Sequence, residues 1–92
     1  MLDVIFRKRA EEDLLALQDW FSEVAPNSVE RILADIYRSI DLVRENPELA
    51  QAVPGHNYRR IVTRKYRFKV ASMIKRGRID ILGIYRFQDR AR

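Results

Sequence analysis

The sequence has no cysteine, a single histidine (His56), three glycines, three prolines and one tryptophan. Without cysteine there is neither a disulfide nor a thiolate zinc site, which fits a reducing compartment. One histidine cannot build an imidazole metal cluster. No Ser–His–Asp or Cys–His arrangement is present, and no glycine-rich loop exists to cradle phosphate. No apolar run approaches the length of a membrane span, and Asp3 and Arg7-Lys8-Arg9 interrupt the one near the N-terminus, so a secretory signal peptide is not expected there. The expected location is the cytoplasm. What remains is a chain of 92 residues, 47% hydrophobic and 34% charged, read as one globular domain large enough to bury a core without staples.

Acidic residues are scarce in one half only. Residues 1–57 hold six basic side chains against eleven acidic ones, whereas residues 58–92 hold twelve against two, Asp80 and Asp89. The net charge of +5 therefore hides a strongly polarised molecule. A basic half of this kind points to a polyanion or an acidic protein as its target.

Patterning divides the chain at the same place. Leu2–Phe6 is short, rich in β-formers, and reads as a strand. Ala10, Leu14, Leu17, Trp20/Phe21 and Val24 form the stripe of an amphipathic helix, with Glu11, Glu12, Asp13 and Asp19 outside it as a solvated acidic face. Trp20 is expected in the core with the leucines. Pro26-Asn27-Ser28 ends this helix, with Ser28 as a cap for the next. Val29, Ile32, Leu33, Ile36, Ile40 and Val43 mark a second helix, running to about Asn46-Pro47. The short connection implies an antiparallel helical hairpin. A polar loop follows, with a turn at Pro54-Gly55 and His56 as a loop residue. Tyr58–Thr63, Tyr66–Ile74 and Arg78–Phe87 then read as strands, the last two joined by a Lys75-Arg76-Gly77 turn. The expected fold is α+β, a helical hairpin packed on a small antiparallel sheet.

Alternation in the middle strand sets Arg67 and Lys69 opposite Tyr66, Phe68 and Val70. Arg59, Arg67, Lys69 and Arg86, interleaved with Tyr58, Tyr66 and Tyr85, thus make a candidate binding face. Arginine forks suit phosphate, and tyrosine rings can stack on splayed bases. Taken singly, each of these side chains is also what the solvated face or the rim of any sheet would carry.

The order of elements and several short motifs resemble the RelE/ParE superfamily of type II toxin–antitoxin toxins, also called plasmid-stabilisation proteins. Helix one carries the A-x-x-D-L-x-x-L-x-x-aromatic pattern as Ala10, Asp13-Leu14, Leu17 and Trp20. The end of helix two reads Asn46-Pro47-Glu48-Leu49-Ala50. The strand half follows with Tyr58-Arg59-Arg60, Tyr66-Arg67-Phe68, Gly77-Arg78-Ile79, Ile81-Leu82 and Ile84-Tyr85-Arg86. Nearly the whole chain takes part.

The resemblance implies a growth-arresting toxin neutralised by a cognate antitoxin protein, with no metal, no cofactor and no membrane association. One branch of the superfamily cleaves mRNA on the ribosome, and the other poisons DNA gyrase. On the nuclease branch Arg67 would stabilise the phosphorane, Tyr85 would exchange a proton, and Arg86 would complete the catalytic set. Arg59, Arg60, Lys69 and Arg90 are the residues expected to hold nucleic acid or another target. Nuclease relatives often place histidine near the end of the last strand, as H-x-x-R-D. Here Arg86 stands at that point, followed by Phe87-Gln88-Asp89-Arg90, and an always-protonated arginine cannot act as base. That departure favours the gyrase branch. A non-toxic basic nucleic-acid-binding module is the third reading.

Overall fold

β-Branched and aromatic residues build a five-stranded sheet on which two amphipathic helices lie, and the computed structural model describes residues 2–86 of this arrangement. The elements are β1 (Asp3–Phe6), α1 (Lys8–Val24), α2 (Val29–Glu45), β2 (Gln51–Ala52), β3 (Arg59–Val62), β4 (Lys69–Lys75) and β5 (Arg78–Tyr85). Short 3-10 turns at Pro26–Ser28 and Pro47–Leu49 follow the two helices. The strand order is β1-β5-β4-β3-β2. Neighbours from β3 to β5 pair antiparallel, as expected, and the stretch read as a polar loop adds the two-residue β2 antiparallel to β3, while the N-terminal strand joins the edge parallel to β5, with Val4 opposite Ile79 and Phe6 opposite Ile81.

The helices cover the face that carries Val4, Phe6, Ile61, Val70, Ile79, Ile81 and Ile84. From α1 come the buried Ala10 and Leu14, and from α2 Ile32, Ile36, Ile40 and Val43. Each buried aliphatic side chain stabilises the fold by roughly 1.5–3 kcal/mol relative to exposure. A bulge shapes β5. Ala71 faces Gly83 and Ser72 faces Ile81, so Leu82 is the extra residue, and the core-facing parity moves from Ile79 and Ile81 to Ile84.

Four expectations are corrected. The strand beginning at Tyr66 starts only at Lys69, because Tyr66-Arg67-Phe68 belong to the turn after β3. Ser28 makes no side-chain cap; the chain instead passes through a proline-initiated 3-10 turn into α2. Trp20 is not core but 49% exposed, since Phe21 takes the inward position and the indole packs edge-on against it at 4.8 Å between ring centroids. The acidic face of α1 is not wholly solvated, because Asp13 reaches across to β5. The Gly77 turn is as expected, with φ +74°.

Candidate functional site

β3 ends, β4 begins and β5 ends at one end of the sheet, where Val62, Lys69 and Tyr85 stand in register. The β3–β4 turn spans this end without a glycine. Thr63 closes it twice: its N–H donates to Phe68 O at 2.7 Å, and its Oγ1 accepts the Phe68 N–H at 2.9 Å. From α2 the buried Asp35 carboxylate accepts the Tyr66 N–H at 2.7 Å and the Lys65 N–H at 3.2 Å. Held in this way, Arg67 adopts φ +65°, a left-handed conformation that costs a side-chain-bearing residue about 1–2 kcal/mol. Arg64, Lys65 and Arg67 are exposed on the turn.

Beside the turn lies an open cleft of about 470 Å³ between α1 and the end of β5. Trp20, Phe21, Phe68 and Tyr85 supply its rings, and Arg9 and Arg86 supply cations. The Arg86 guanidinium lies 4.8 Å from the centroid of the Trp20 ring. This cation–π contact leaves the indole as an exposed aromatic wall. Asp13 is the carboxylate of the cleft. It accepts the Ile84 N–H at 2.9 Å, where β5 has passed the end of β1, and the Arg9 Nε–H at 3.1 Å. One oxygen thus holds α1 to β5 and the other pairs within α1.

The structure brings Arg67, Tyr85 and Arg86 to this end of the sheet, but separates the other residues of the sequence-based set. Lys69 is only 2% exposed, so it does not share an exposed face with Arg67 as strand alternation implied. Arg59 starts β3 several residues away, and its Nη1–H donates to the carbonyl of buried Ala50 at 2.8 Å. Arg60 is half-buried mid-sheet, opposite Ala71 and Gln51. Arg90 lies outside the described residues. His56 precedes β3 at the opposite end, tilted against Tyr58 with ring centroids 5.0 Å apart.

Further along β5, a second group of cations serves the fold. Fully buried Asp80 accepts from Arg7 Nε and Nη2 at 2.8 and 2.6 Å, and from Arg78 Nε at 2.9 Å. The Arg7 hydrogen bonds hold its carboxyl below the usual aspartate value of 3.8; burial opposes them, and Arg78 adds to the lowering. Among the described residues no group of His, Cys, Asp or Glu could hold a metal ion. No described helix is long and apolar enough to cross a membrane.

Asp35, Asp13 and the exposed Trp20 were not singled out from sequence as functional. Asp35 had a signal: it sits between Ile32 and Ile36 on the buried face of α2, where a carboxylate demands specific partners.

Residues 4–92 match the family described as the ParE toxin of type II toxin-antitoxin system, parDE. The chain belongs to the ParE toxin family. Solved structures share its fold across almost all of both chains. The chromosomal ParDE toxin–antitoxin system from P. aeruginosa superimposes with a TM-score of 0.78 at 20% identity, covering 94% of this chain and 96% of that one. The intact E. coli RelBE toxin–antitoxin complex gives 0.62 at 11% identity with the same coverages, 94% and 96%. The YoeB dimer from Staphylococcus aureus gives 0.59 at 14%, covering 91% and 94%. At these identities the likeness is one of fold. No curated protein matches the chain in sequence. The ParE family match and the fold together bear out the reading of a RelE/ParE superfamily toxin.

Proposed function

We propose that this ParE-family toxin arrests growth in the cytoplasm by inhibiting DNA gyrase through protein contact, and that a cognate antitoxin neutralises it. The family match over residues 4–92 carries this reading. The side chains agree with it. Of the cations considered for nucleic-acid chemistry, Lys69 is buried, Arg59 anchors a carbonyl, and Arg86 packs on Trp20. The cleft carboxylate, Asp13, is committed to the Ile84 amide. The aromatic wall of Trp20 with its cationic rim is the kind of anchor on which protein interfaces concentrate their energy. The cleft is therefore the surface assigned to the target or the antitoxin. The ParDE and RelBE complexes are relatives in fold that pair with antitoxins, which supports an antitoxin here.

The second reading is a ribosome-dependent mRNA endonuclease, favoured by the meeting of Arg67, Tyr85 and Arg86 at one sheet end and by the RelBE-like fold. Inducing the toxin alone in a bacterial host, while following growth, transcript integrity and plasmid supercoiling, separates the two. Arrest with lost supercoiling and intact transcripts is the expected result. Early transcript cleavage with normal supercoiling would transfer the assignment to the nuclease branch. With purified components, undisturbed gyrase supercoiling in the presence of antitoxin-free toxin would refute the proposal.

A further inference from the structure

The Asp35 clamp does more than close a turn: it sets two groups of cations beside each other that are about thirty residues apart in sequence. Arg31 and Arg38 lie one helical turn before and after Asp35 on α2, within the reach at which helix neighbours share a face. Both are exposed. The turn docked on Asp35 adds Arg64, Lys65 and Arg67. Among the described residues none of these five cations has an ion-pair partner, whereas Arg7, Arg9, Arg44 and Arg78 are all paired with aspartates. Asp35 itself is 8% exposed and spends its oxygens on backbone amides. Asp41, further round the helix, faces Arg44 at 3.8 Å.

We propose that Arg31, Arg38, Arg64, Lys65 and Arg67 form a preorganised contact surface for the phosphate backbone of duplex DNA. Three observations select that partner. The surface is cationic at all five positions, and the exposed Leu42 lies outside them, one helical turn beyond Arg38, whereas the core of a protein interface is built on apolar and aromatic anchors. Single strands bind through stacking platforms, but Tyr66 in this turn is half-buried and packs against the core. The turn is fixed by hydrogen bonds from four backbone amides, those of Thr63, Lys65, Tyr66 and Phe68, and Arg67 is held in a left-handed conformation that glycine would adopt at lower cost. A rigid array of cations suits a rigid array of phosphates, where positioning rather than base reading is required. If gyrase is the target, the surface would hold the toxin against the DNA that gyrase handles. The proposal itself is tested on DNA alone.

The test is fluorescence anisotropy of the purified full chain on a labelled duplex between 50 and 200 mM salt. Five phosphate contacts give a slope of log K against log salt of about −4.5, equivalent to roughly a 500-fold loss of affinity across that range. R64Q/K65Q and R31Q/R38Q should each make the slope shallower by about 1.8. K75Q/R76Q removes the same charge from the β4–β5 turn, about 20 Å away along β4, and should leave the slope unchanged. Circular dichroism confirms folding of each variant. Equal effects from all three pairs would reduce the binding to bulk charge and overturn the proposal. So would tighter binding of single-stranded RNA than of duplex. Variants that keep the wild-type slope but lose gyrase or antitoxin binding would reassign the surface to a protein. Supercoiling assays on the same variants score the gyrase reading separately.

Discussion

Replacing Asp35 by alanine removes the carboxylate that hydrogen-bonds α2 to the β3–β4 turn. Its carboxylate accepts two amides, Tyr66 N–H at 2.7 Å and Lys65 N–H at 3.2 Å. A hydrogen bond to a charged acceptor contributes about 1.5–3 kcal/mol. The turn borders solvent, so water recovers part of the loss once the carboxylate is gone, and a net destabilisation of about 3 kcal/mol is expected. For a domain of this size each kcal/mol shifts Tm by roughly 4–8 °C, so the midpoint should fall by about 12–24 °C. Asp35→Asn keeps one acceptor oxygen and should lose about half as much. Urea unfolding measures the stability, and amide exchange at Lys65 and Tyr66 localises the change. In both variants these two amides should exchange faster than those of β4. A loss below about 0.5 kcal/mol, with unchanged exchange at both amides, would refute the reasoning, because that is the range of an ordinary surface substitution.

The Asp80 carboxyl is held low by Arg7 and Arg78, so its ionised form is bound more tightly in the folded chain. Its stabilisation is present above the ordinary value of 3.8 and is lost as pH falls through the lower folded value. Urea midpoints followed from neutral to acid pH should therefore drop less steeply in Asp80→Asn, from a lower neutral starting point. Gly83→Ala places a methyl 3.3 Å from Asp13 Oδ2; Asp13 must shift, and faster exchange of the Ile84 amide with a loss of about 0.5–1 kcal/mol should follow. Trp20→Ala removes a half-exposed ring and should leave the urea midpoint within about 1 kcal/mol of wild type while abolishing growth arrest, if the cleft meets the target.

Both helices and the turn at Gly77 were legible because their signals are local: an apolar stripe, a proline break, a positive-φ glycine. The strand beginning at Tyr66 was overextended because alternating residues also fill a turn. Its geometry is imposed by Asp35, about thirty positions away. The same reason hid the roles of Asp13 and Asp80, each of which has one partner more than seventy residues distant, Ile84 and Arg7. A carboxylate outside an apolar stripe looks solvated until the fold supplies its donor. Lys69 was misplaced by the alternation rule itself. The rule told which face it occupies but not how deeply it would be buried there. Thus the scaffold was readable, and three of the candidate residues, Arg67, Tyr85 and Arg86, do meet at one sheet end. The surface joining α2 to the turn was not readable.

β1 has one strand neighbour, β5, and β5 is the last strand of the described chain. During translation, residues 3–6 must wait for residues 78–81 before they find their place in the sheet. The Arg7–Asp80 clamp waits equally long. Loop closure over such a separation makes this pairing a late step in folding. A ribosome halted anywhere before β5 therefore releases a chain with an unpaired first strand and an open core. The edge of the sheet and the core beneath it are thus closed by one and the same late pairing.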